Sequence, residues 1–311
     1  MQVSPKKIVV LATGGTLAGI AADPGDNIGY RAAQLGIDEL LAAIPALRGL
    51  AIEAEQVAQI DSKDMSCEVW RALALRCAHW LGQDDVAGLV ITHGTDTLEE
   101  TAFFLQSVLA PGKPVVLTAA MRPATALLAD GPQNIVDAVA VASTPGASGV
   151  VAVCAGVIHS AFDVAKQHSY RLDAFTSADA GVVGYVEEGR VRLSRDWPAS
   201  TARPGLLDAL AALTRWPRVE IVMSHAGAGH GVVDALVAQG VDGLVVAATG
   251  NGTVHQALES ALREAQARGV KVTRATRCAQ GRILAQAGDG LPDAGALSPV
   301  KARIALLLEL L

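Results

Sequence analysis

The sequence predicts an α/β fold, with a larger N-terminal parallel-sheet domain and a smaller C-terminal α/β domain. Short runs rich in Val, Ile, Leu and Ala recur along the 311 residues and alternate with helix-like amphipathic stretches. A strand buried on both faces of a parallel sheet shows such a continuous apolar run. Strands that alternate with helices indicate parallel pairing through right-handed crossovers. The alternation is interrupted once, which indicates a division into two domains.

The individual elements follow from this pattern in chain order. Seven apolar runs are predicted strands, at residues 7–12, 87–92, 114–119, 149–155, 219–224, 242–247 and 270–275. A helix is predicted at 97–109, because apolar residues recur on one face at helical spacing and Thr97 with Glu100 fits a capping box. The last helix has Ser298 at its cap and Pro299 in its first turn.

The interruption lies at residues 185–217, which hold a predicted small hairpin, three prolines and clustered charge. After it the alternation of strands and helices resumes. We therefore predict an N-terminal domain over residues 1–190, a linker over 191–217 and a C-terminal α/β domain over 218–311.

Composition excludes several classes of function. The formal net charge is −6, whereas a nucleic-acid surface needs a basic stripe. Half of the residues are hydrophobic, but no uninterrupted apolar run reaches the roughly 18 residues of a membrane span.

The histidines form no H-E-x-x-H motif and the four cysteines no C-x-x-C pair, so no metal and no other cofactor is predicted. The N-terminus shows no secretory signal, so we expect a cytoplasmic protein with reduced thiols.

Candidate site residues follow the predicted strands, because ligands bind at the carboxyl ends of the strands in open α/β sheets. The loops there are at residues 13–16, 93–97 and 120–123, with Asp163 and Lys166 in a fourth loop. The glycines of the first loop fit neither a dinucleotide fingerprint nor a P-loop, which disfavours nucleotide binding. They are also explained by a tight turn that needs positive φ.

A hydroxyl, a carboxylate and an amine come together in Thr95, Asp96 and Lys166 if these loops meet above one sheet edge. A threonine hydroxyl is a poor nucleophile and needs a base, which a lysine kept neutral by burial can supply. The competing interpretation makes Lys166 a solvated surface charge and Asp96 and Thr97 helix caps. Spacing alone leaves both interpretations open.

A family resemblance runs through these same loops. The matching stretches are LATGGTLAG (11–19), QIDSKDM (59–65), ITHGTDTLEETAFFL (91–105), VVLTAAMRPATALLADGPQN (115–134), FDVAK (162–166), GNGT (250–253) and LSPVKAR (297–303). In this order they resemble the bacterial L-asparaginases of the two-domain, threonine-dependent kind. The resemblance implies hydrolysis of the side-chain amide of L-asparagine to L-aspartate and ammonia through a threonine acyl-enzyme. It also implies a flavodoxin-like C-terminal domain.

The resemblance assigns catalytic roles to five residues. Thr16 matches the nucleophile, and Tyr30 matches the tyrosine that hydrogen-bonds it. Thr95, Asp96 and Lys166 match a second set that activates an attacking group. Which threonine attacks first is left open.

Substrate-binding roles are implied in the same way. Asp96 matches the residue that holds the substrate's α-ammonium, and Ser62 the one that holds its α-carboxylate, with Asp61 beside it in the same motif. The backbone around Thr95 and Ala120 lies where the amide oxygen is stabilised, and N–H groups aimed at a developing oxyanion contribute several kcal/mol.

The family pattern is not matched everywhere. Lys63 stands where many relatives have glutamine, and it is interpreted either as an outward-facing loop residue or as a counter-charge for the substrate carboxylate. No residue of the segment 279–295 matches a glutamate that relatives extend across a subunit interface. The resemblance implies a homotetramer with active sites at subunit interfaces. The alternatives are a glutaminase-asparaginase and a non-catalytic amino-acid sensor.

Overall fold

The computed structural model describes residues 6–23, 25–109, 111–199, 203–284 and 290–311. The chain divides into two compact units, Met1–Leu207 and Asp208–Leu311. The domain and linker boundaries predicted from the sequence stay predictions.

The N-terminal unit is built on one mixed sheet. The strands of this unit, of which all but β7 and β8 belong to that sheet, are β1 (Lys7–Gly14), β2 (Ile52–Ile60), β3 (Val86–Thr92), β4 (Val115–Thr118), β5 (Val150–Cys154), β6 (Val157–Ser160), β7 (Ala165–Lys166), β8 (Phe175–Thr176), β9 (Gly184–Glu187) and β10 (Arg190–Leu193). Its helices are α1 (Ile37–Ala42), α2 (Cys67–Leu81), α3 (Leu98–Leu109) and α4 (Gly131–Ala142), and α5 (Leu206–Ala212) follows in the chain.

The order of strands in the sheet is β10-β9-β6-β5-β4-β3-β1-β2. The strands from β5 to β2 pair in parallel, as predicted, whereas β5–β6, β6–β9 and β9–β10 pair antiparallel. The β9–β10 pair is the predicted hairpin. A separate two-stranded ribbon pairs β7 with β8.

Helices cover both faces of the parallel strands. On one face, Ile8, Val10 and Ala12 of β1 pack in a buried cluster with residues of α1 and α4. The intervening Val9 and Leu11 point to the opposite face, because side chains alternate along a strand, and they too are fully buried. The helices α2 and α3 contact each other and the sheet. This double burial explains the continuous apolar runs in the sequence.

The C-terminal unit has a three-stranded parallel sheet in the order β11-β12-β13. Its elements are β11 (Val219–Met223), α6 (Gly231–Ala238), β12 (Gly243–Ala248), α7 (Gln256–Ala267), β13 (Lys271–Thr276) and α8 (Pro299–Glu309). The helix α8 contacts all three strands, and the Ser298 hydroxyl accepts the backbone N–H of Lys301 as its cap, as predicted.

The register of the large sheet brings three loops to one edge. Ala12 of β1 stands beside Thr92 of β3, and Thr92 stands beside Thr118 of β4. The loops after these strands therefore begin next to one another. In the part of the chain that the structure describes, no helix is long and apolar enough to cross a membrane.

Candidate active site

The glycine turn after β1 has two structural causes. Gly14 and Gly15 have φ of 106° and 85°, in the region that favours glycine. A Cβ on Gly15 would also lie only 2.4 Å from the backbone nitrogen of Gly94, in the loop after β3. The two loops therefore touch through their backbones. A side chain at Gly15 would push them apart, so the turn fixes where Thr16 stands relative to Thr95.

Thr16 is buried and is bonded to a tyrosine further along the same loop. Its Oγ1 lies 2.6 Å from the hydroxyl oxygen of Tyr30. A Cβ on Gly19 would lie 2.8 Å from the Tyr30 ring, so this glycine makes room for the tyrosine. The loop between them is closed by two backbone hydrogen bonds that Ile20 and Arg31 exchange. Thr16 and Tyr30 are thus held together by local structure.

Tyr30 keeps its proton near neutral pH. Burial raises the pKa of its hydroxyl, and the negative charges of Asp61 and Asp96 raise that pKa further, against a lowering by the bond to Thr16. The Thr16 hydroxyl therefore faces a phenol and not a phenolate.

Lys166 joins Thr95 and Asp96 across a long stretch of sequence. Its Nζ donates to Thr95 Oγ1 at 2.8 Å and to Asp96 Oδ1 at 2.6 Å. The side chain of Lys166 is only 18% exposed. The interpretation of Lys166 as a solvated surface charge is therefore wrong. Hydroxyl, amine and carboxylate meet as the sheet topology predicts.

Ser62 connects the loop after β2 to the same group. Its buried hydroxyl accepts the backbone N–H of Asp96 at 3.2 Å, and its carbonyl accepts the Thr97 hydroxyl at 2.8 Å. A Cβ on Gly94 would lie 2.4 Å from Ser62 Oγ, so Gly94 is needed for this approach as well. The helix α3 begins at Leu98, directly after Thr97.

Asp61 caps a short turn and is paired with a lysine. Its carboxylate accepts the backbone N–H of Lys63 at 3.3 Å and the Lys63 ammonium at 3.1 Å. The same ammonium lies 2.9 Å from Asp64 and its side chain is 62% exposed. Lys63 thus neutralises neighbouring carboxylates of its own loop, while the negative charge of Asp61 adds to the burial that raises the pKa of the Tyr30 hydroxyl.

Ala120 is buried after β4 and lies close to the Thr16 turn. A Cβ on Gly131, the first residue of α4, would lie 3.4 Å from the Ala120 Cβ and 3.1 Å from Leu17. The Asp130 carboxylate accepts the backbone N–H groups that follow, of Met121 and Arg122, each at 3.0 Å. The start of α4 therefore fixes this loop beside the turn that carries Thr16.

A buried histidine behind the site was not predicted from the sequence. His93 Nδ1 bonds the Gly94 carbonyl at 2.7 Å, and its Nε2 bonds Thr101 Oγ1 at 2.9 Å. Trp70 Nε1 donates to that same hydroxyl at 2.9 Å. Because a carbonyl only accepts, Nδ1 carries the proton and Nε2 accepts from Thr101. Burial lowers the pKa of His93 to about 4, so the ring is neutral at pH 7.

The predicted residues thus form two bonded groups whose loops touch at Gly15 and Gly94. One group is Thr16 with Tyr30, and the other is Thr95, Asp96 and Lys166 with Ser62. The roles assigned to these residues stay predictions. Among the described residues, no cluster of His, Cys, Asp and Glu could hold a metal ion. The segment 279–295, where no interface glutamate was found, falls partly outside the described residues, at 285–289.

Comparisons with known proteins cover nearly the whole chain. The family model "Asparaginase, N-terminal" matches residues 7–199, and "Glutaminase/Asparaginase C-terminal domain" matches residues 218–310. The chain is 36% identical to L-asparaginase 2 of Bacillus subtilis, over 97% of this chain and 82% of the relative. It is also 36% identical to the glutaminase-asparaginase of Pseudomonas fluorescens, over 97% and 86%. The crystal structure of a probable cytoplasmic L-asparaginase from Campylobacter jejuni matches with a TM-score of 0.91 and 39% identity, over 98% and 95% of the two chains.

Proposed function

The chain belongs to the asparaginase family, and from this premise we propose that it hydrolyses the side-chain amide of L-asparagine to L-aspartate and ammonia. One observation on this chain itself supports catalysis, in addition to family membership. Two threonine hydroxyls stand on touching loops, and each is bonded to a group that can exchange a proton with it, Tyr30 at 2.6 Å and Lys166 at 2.8 Å. A binding protein needs neither arrangement.

The first half of the reaction uses Thr16. Its hydroxyl oxygen attacks the amide carbon of the substrate, and its proton leaves through Tyr30, whose own proton is available because the hydroxyl is not ionised. The C–N bond breaks, the nitrogen takes up the proton that Tyr30 passes on, and ammonia departs. An ester between Thr16 and the β-carbonyl of aspartate remains.

The second half uses Thr95 and Lys166. A water molecule attacks the ester carbonyl, and its proton passes through the Thr95 hydroxyl to Lys166, whose charge the Asp96 carboxylate then balances. The position of Lys166 supports this role, because its Nζ lies within hydrogen-bond distance of the Thr95 hydroxyl and of the Asp96 carboxylate. The ester bond then breaks, the Thr16 oxygen takes up the second proton of the water from the new carboxyl group, and aspartate leaves as the carboxylate.

Substrate binding uses complementary charges and donors. The Asp96 carboxylate, half exposed beside the site, holds the α-ammonium, and Ser62 with Asp61 lies where the amino-acid backbone would sit. Charge-assisted hydrogen bonds of this kind are about twice as strong as neutral ones. Backbone N–H groups around Thr95 and Ala120 stabilise the oxyanion that forms on the amide oxygen.

We include in the proposal a homotetramer whose active sites lie at subunit interfaces. Exposed apolar side chains beside the Thr16 turn support it, since Ile28 is 79% and Leu127 86% exposed. Their loops are joined, because the Ala124 N–H donates to Gly19 and the Ala21 N–H to Thr125 Oγ1. Light scattering on the purified protein should give about four times the chain mass of 31.9 kDa. A monomer at assay concentration that retains full turnover would contradict it.

We further propose a cytoplasmic location. All four cysteines are free thiols, and the similar Campylobacter jejuni structure is named as a probable cytoplasmic enzyme. A relative in Haemophilus influenzae is named as probable periplasmic, so location differs within the family. Fractionation of the source cells, with marker enzymes for both compartments, decides between the two.

The function is tested by ammonia release from L-asparagine and L-glutamine. We expect turnover of L-asparagine with aspartate as the second product. Glutaminase-asparaginase activity is the second candidate, because relatives of that name match at the same 36% identity as the L-asparaginases. The ratio of kcat/KM on the two amides separates these candidates. No ammonia from either amide would refute the proposal.

The non-catalytic sensor is tested by covalent labelling. A diazo-ketone analogue of asparagine should modify a threonine of the site, which mass spectrometry of the digested protein locates. Tight binding of aspartate without labelling at Thr16 or Thr95 would favour the sensor.

A further inference from the structure

Lys166 lies on a strand too short to hold it in place alone. The strand β7 has two residues, and it pairs only with β8, through Ala165 with Thr176 and Lys166 with Phe175. Yet Lys166 Nζ stands within hydrogen-bond distance of both Thr95 and Asp96. Other contacts must therefore position this segment.

The segment is fixed before Lys166 by a carboxylate clamp. The Asp163 carboxylate accepts the Ser160 hydroxyl at 2.5 Å and Arg195 Nη2 at 2.5 Å. The backbone turns tightly there, because the N–H groups of Asp163 and Val164 both donate to the Ser160 carbonyl. Ser160 is the last residue of β6, and Arg195 follows the hairpin of β9 and β10. The clamp thus ties the loop to two strands of the main sheet.

The segment is fixed again where it returns. Ser177, directly after β8, bonds His159 Nδ1 at 2.8 Å, and both side chains are buried. His159 and Ser160 are neighbours on β6, so the loop that carries Lys166 leaves from and returns to the same strand. From α3, the Glu99 carboxylate accepts the backbone N–H of Lys166 at 3.2 Å.

We propose that Asp163, held between Ser160 and Arg195, is a positioning residue that sets the place of Lys166 Nζ against Thr95. This inference rests on the proposed function, in which Lys166 is catalytic. Among the residues that the structure describes, Asp163 has no hydrogen bond to Thr95 or Asp96, so it acts through the chain that leads to Lys166. The bond between the guanidinium and the carboxylate is charge-assisted and partly shielded from water, which makes it stronger than a neutral hydrogen bond.

The test compares two arginines of the same hairpin. Arg195→Ala removes the clamp, whereas Arg192→Ala removes an exposed pair with Glu187 on β9 that has no bond to the Lys166 segment. A displacement of about 1 Å at a catalytic group can reduce the rate about 10²-fold. We expect Arg195→Ala and Asp163→Asn to lower kcat by about 10- to 100-fold on that basis. KM should change little, because Ser62 and Asp96 lie on other loops. Arg192→Ala should keep wild-type kinetics.

Chemical rescue distinguishes positioning from general loss of stability. A cavity of about 350 Å³ adjoins the clamp and is lined in part by Phe162, Asp163, Arg195 and Trp197. Guanidinium added at concentrations below those that unfold the protein should enter this space in Arg195→Ala and restore part of kcat. A sodium salt at the same ionic strength should not restore kcat, and guanidinium should not change the kcat of Arg192→Ala.

The outcomes separate this inference from the proposed function. Wild-type protein and Lys166→Met are assayed in parallel, and an inactive wild type would refute the function itself. An active wild type, an inactive Lys166→Met and normal kcat in both clamp variants would overturn only the positioning role. A raised KM at unchanged kcat would overturn it too. If Asp163→Asn does not fold, the kcat of Arg195→Ala with and without guanidinium tests the positioning role. Ser160→Ala then takes the place of Asp163→Asn as the second clamp variant, and we expect a smaller loss of kcat from it.

Discussion

The two threonine groups of the site differ in charge and in how the chain builds them. Thr16 and Tyr30 are neutral, lie 14 residues apart and are joined by one loop closed at its base. Thr95 and Lys166 lie 71 residues apart, share the Asp96 carboxylate as a third member and depend on contacts from several elements. The difference indicates a division of labour. A hydroxyl beside a neutral phenol is suited to form the ester, and a hydroxyl beside an amine is suited to activate water.

The largest loss of turnover is expected from a substitution in the neutral group, Thr16 with Tyr30. Thr16→Ala removes the atom that forms the ester, so we expect kcat to fall by about 10³- to 10⁴-fold, a range typical of losing a unit of the catalytic machinery. KM for L-asparagine should stay within a few-fold, because Asp96 and Ser62 remain. Thr16→Ser is the matched control and should retain turnover. Steady-state ammonia release measures the turnover of both variants. Full activity in Thr16→Ala would show that Thr16 does not form the ester and would assign that role to Thr95.

The charged group should behave as a single unit. Thr95→Ala and Lys166→Met should each lower kcat by about 10²- to 10³-fold, since proton transfer by a positioned group contributes in this range. The double variant should be hardly worse than either single variant, because residues that act as a unit are not additive. Effects that multiply in the double variant would show that Thr95 and Lys166 act independently.

A smaller effect concerns stability, and it should appear in acid. The pKa of His93 is lowered to about 4 by burial, so between pH 6.5 and 4 the unfolded chain binds a proton that the folded chain does not. The free energy of unfolding therefore falls progressively as the pH drops through that window, by ~3 kcal/mol in total from His93. Below pH 4 His93 causes no further loss. Urea unfolding of the wild type and of His93→Gln at pH 7 and pH 4.5 measures this.

The control for that measurement lies at the surface. The exposed His230 pairs with Asp234, which raises its pKa, so His230→Gln should leave the loss of stability in acid in place. An unchanged acid dependence in His93→Gln would show that another group is responsible.

The comparison of the two groups also shows what the sequence could predict. The seven predicted strands are confirmed to within two residues at each end, because a strand covered on both faces has to be apolar throughout. The edge strand Ile52–Ile60 was missed, because it is half exposed and alternates small apolar residues with Glu and Gln. The strands β7 and β8 were missed because two residues carry no periodicity.

The site was predictable where topology alone places residues. Thr16, Thr95 and Ala120 follow strands that are neighbours in the sheet, so their meeting follows from the fold. The contacts of His93 with Thr101, and of Asp163 with Arg195, depend on side-chain packing between elements whose relative rotation no local pattern fixes. The resemblance supplied the pairing of Thr16 with Tyr30, which spacing alone did not indicate.

The division of labour is tested most directly by trapping the ester in Lys166→Met. Without the amine that receives the proton of water, ester formation should outpace its hydrolysis. Rapid quenching with L-asparagine, followed by mass spectrometry of the digested protein, should then show an aspartyl group on the peptide that contains Thr16, with one equivalent of ammonia released in a burst. An aspartyl group on Thr95, or steady turnover with no acylated threonine, would contradict the account.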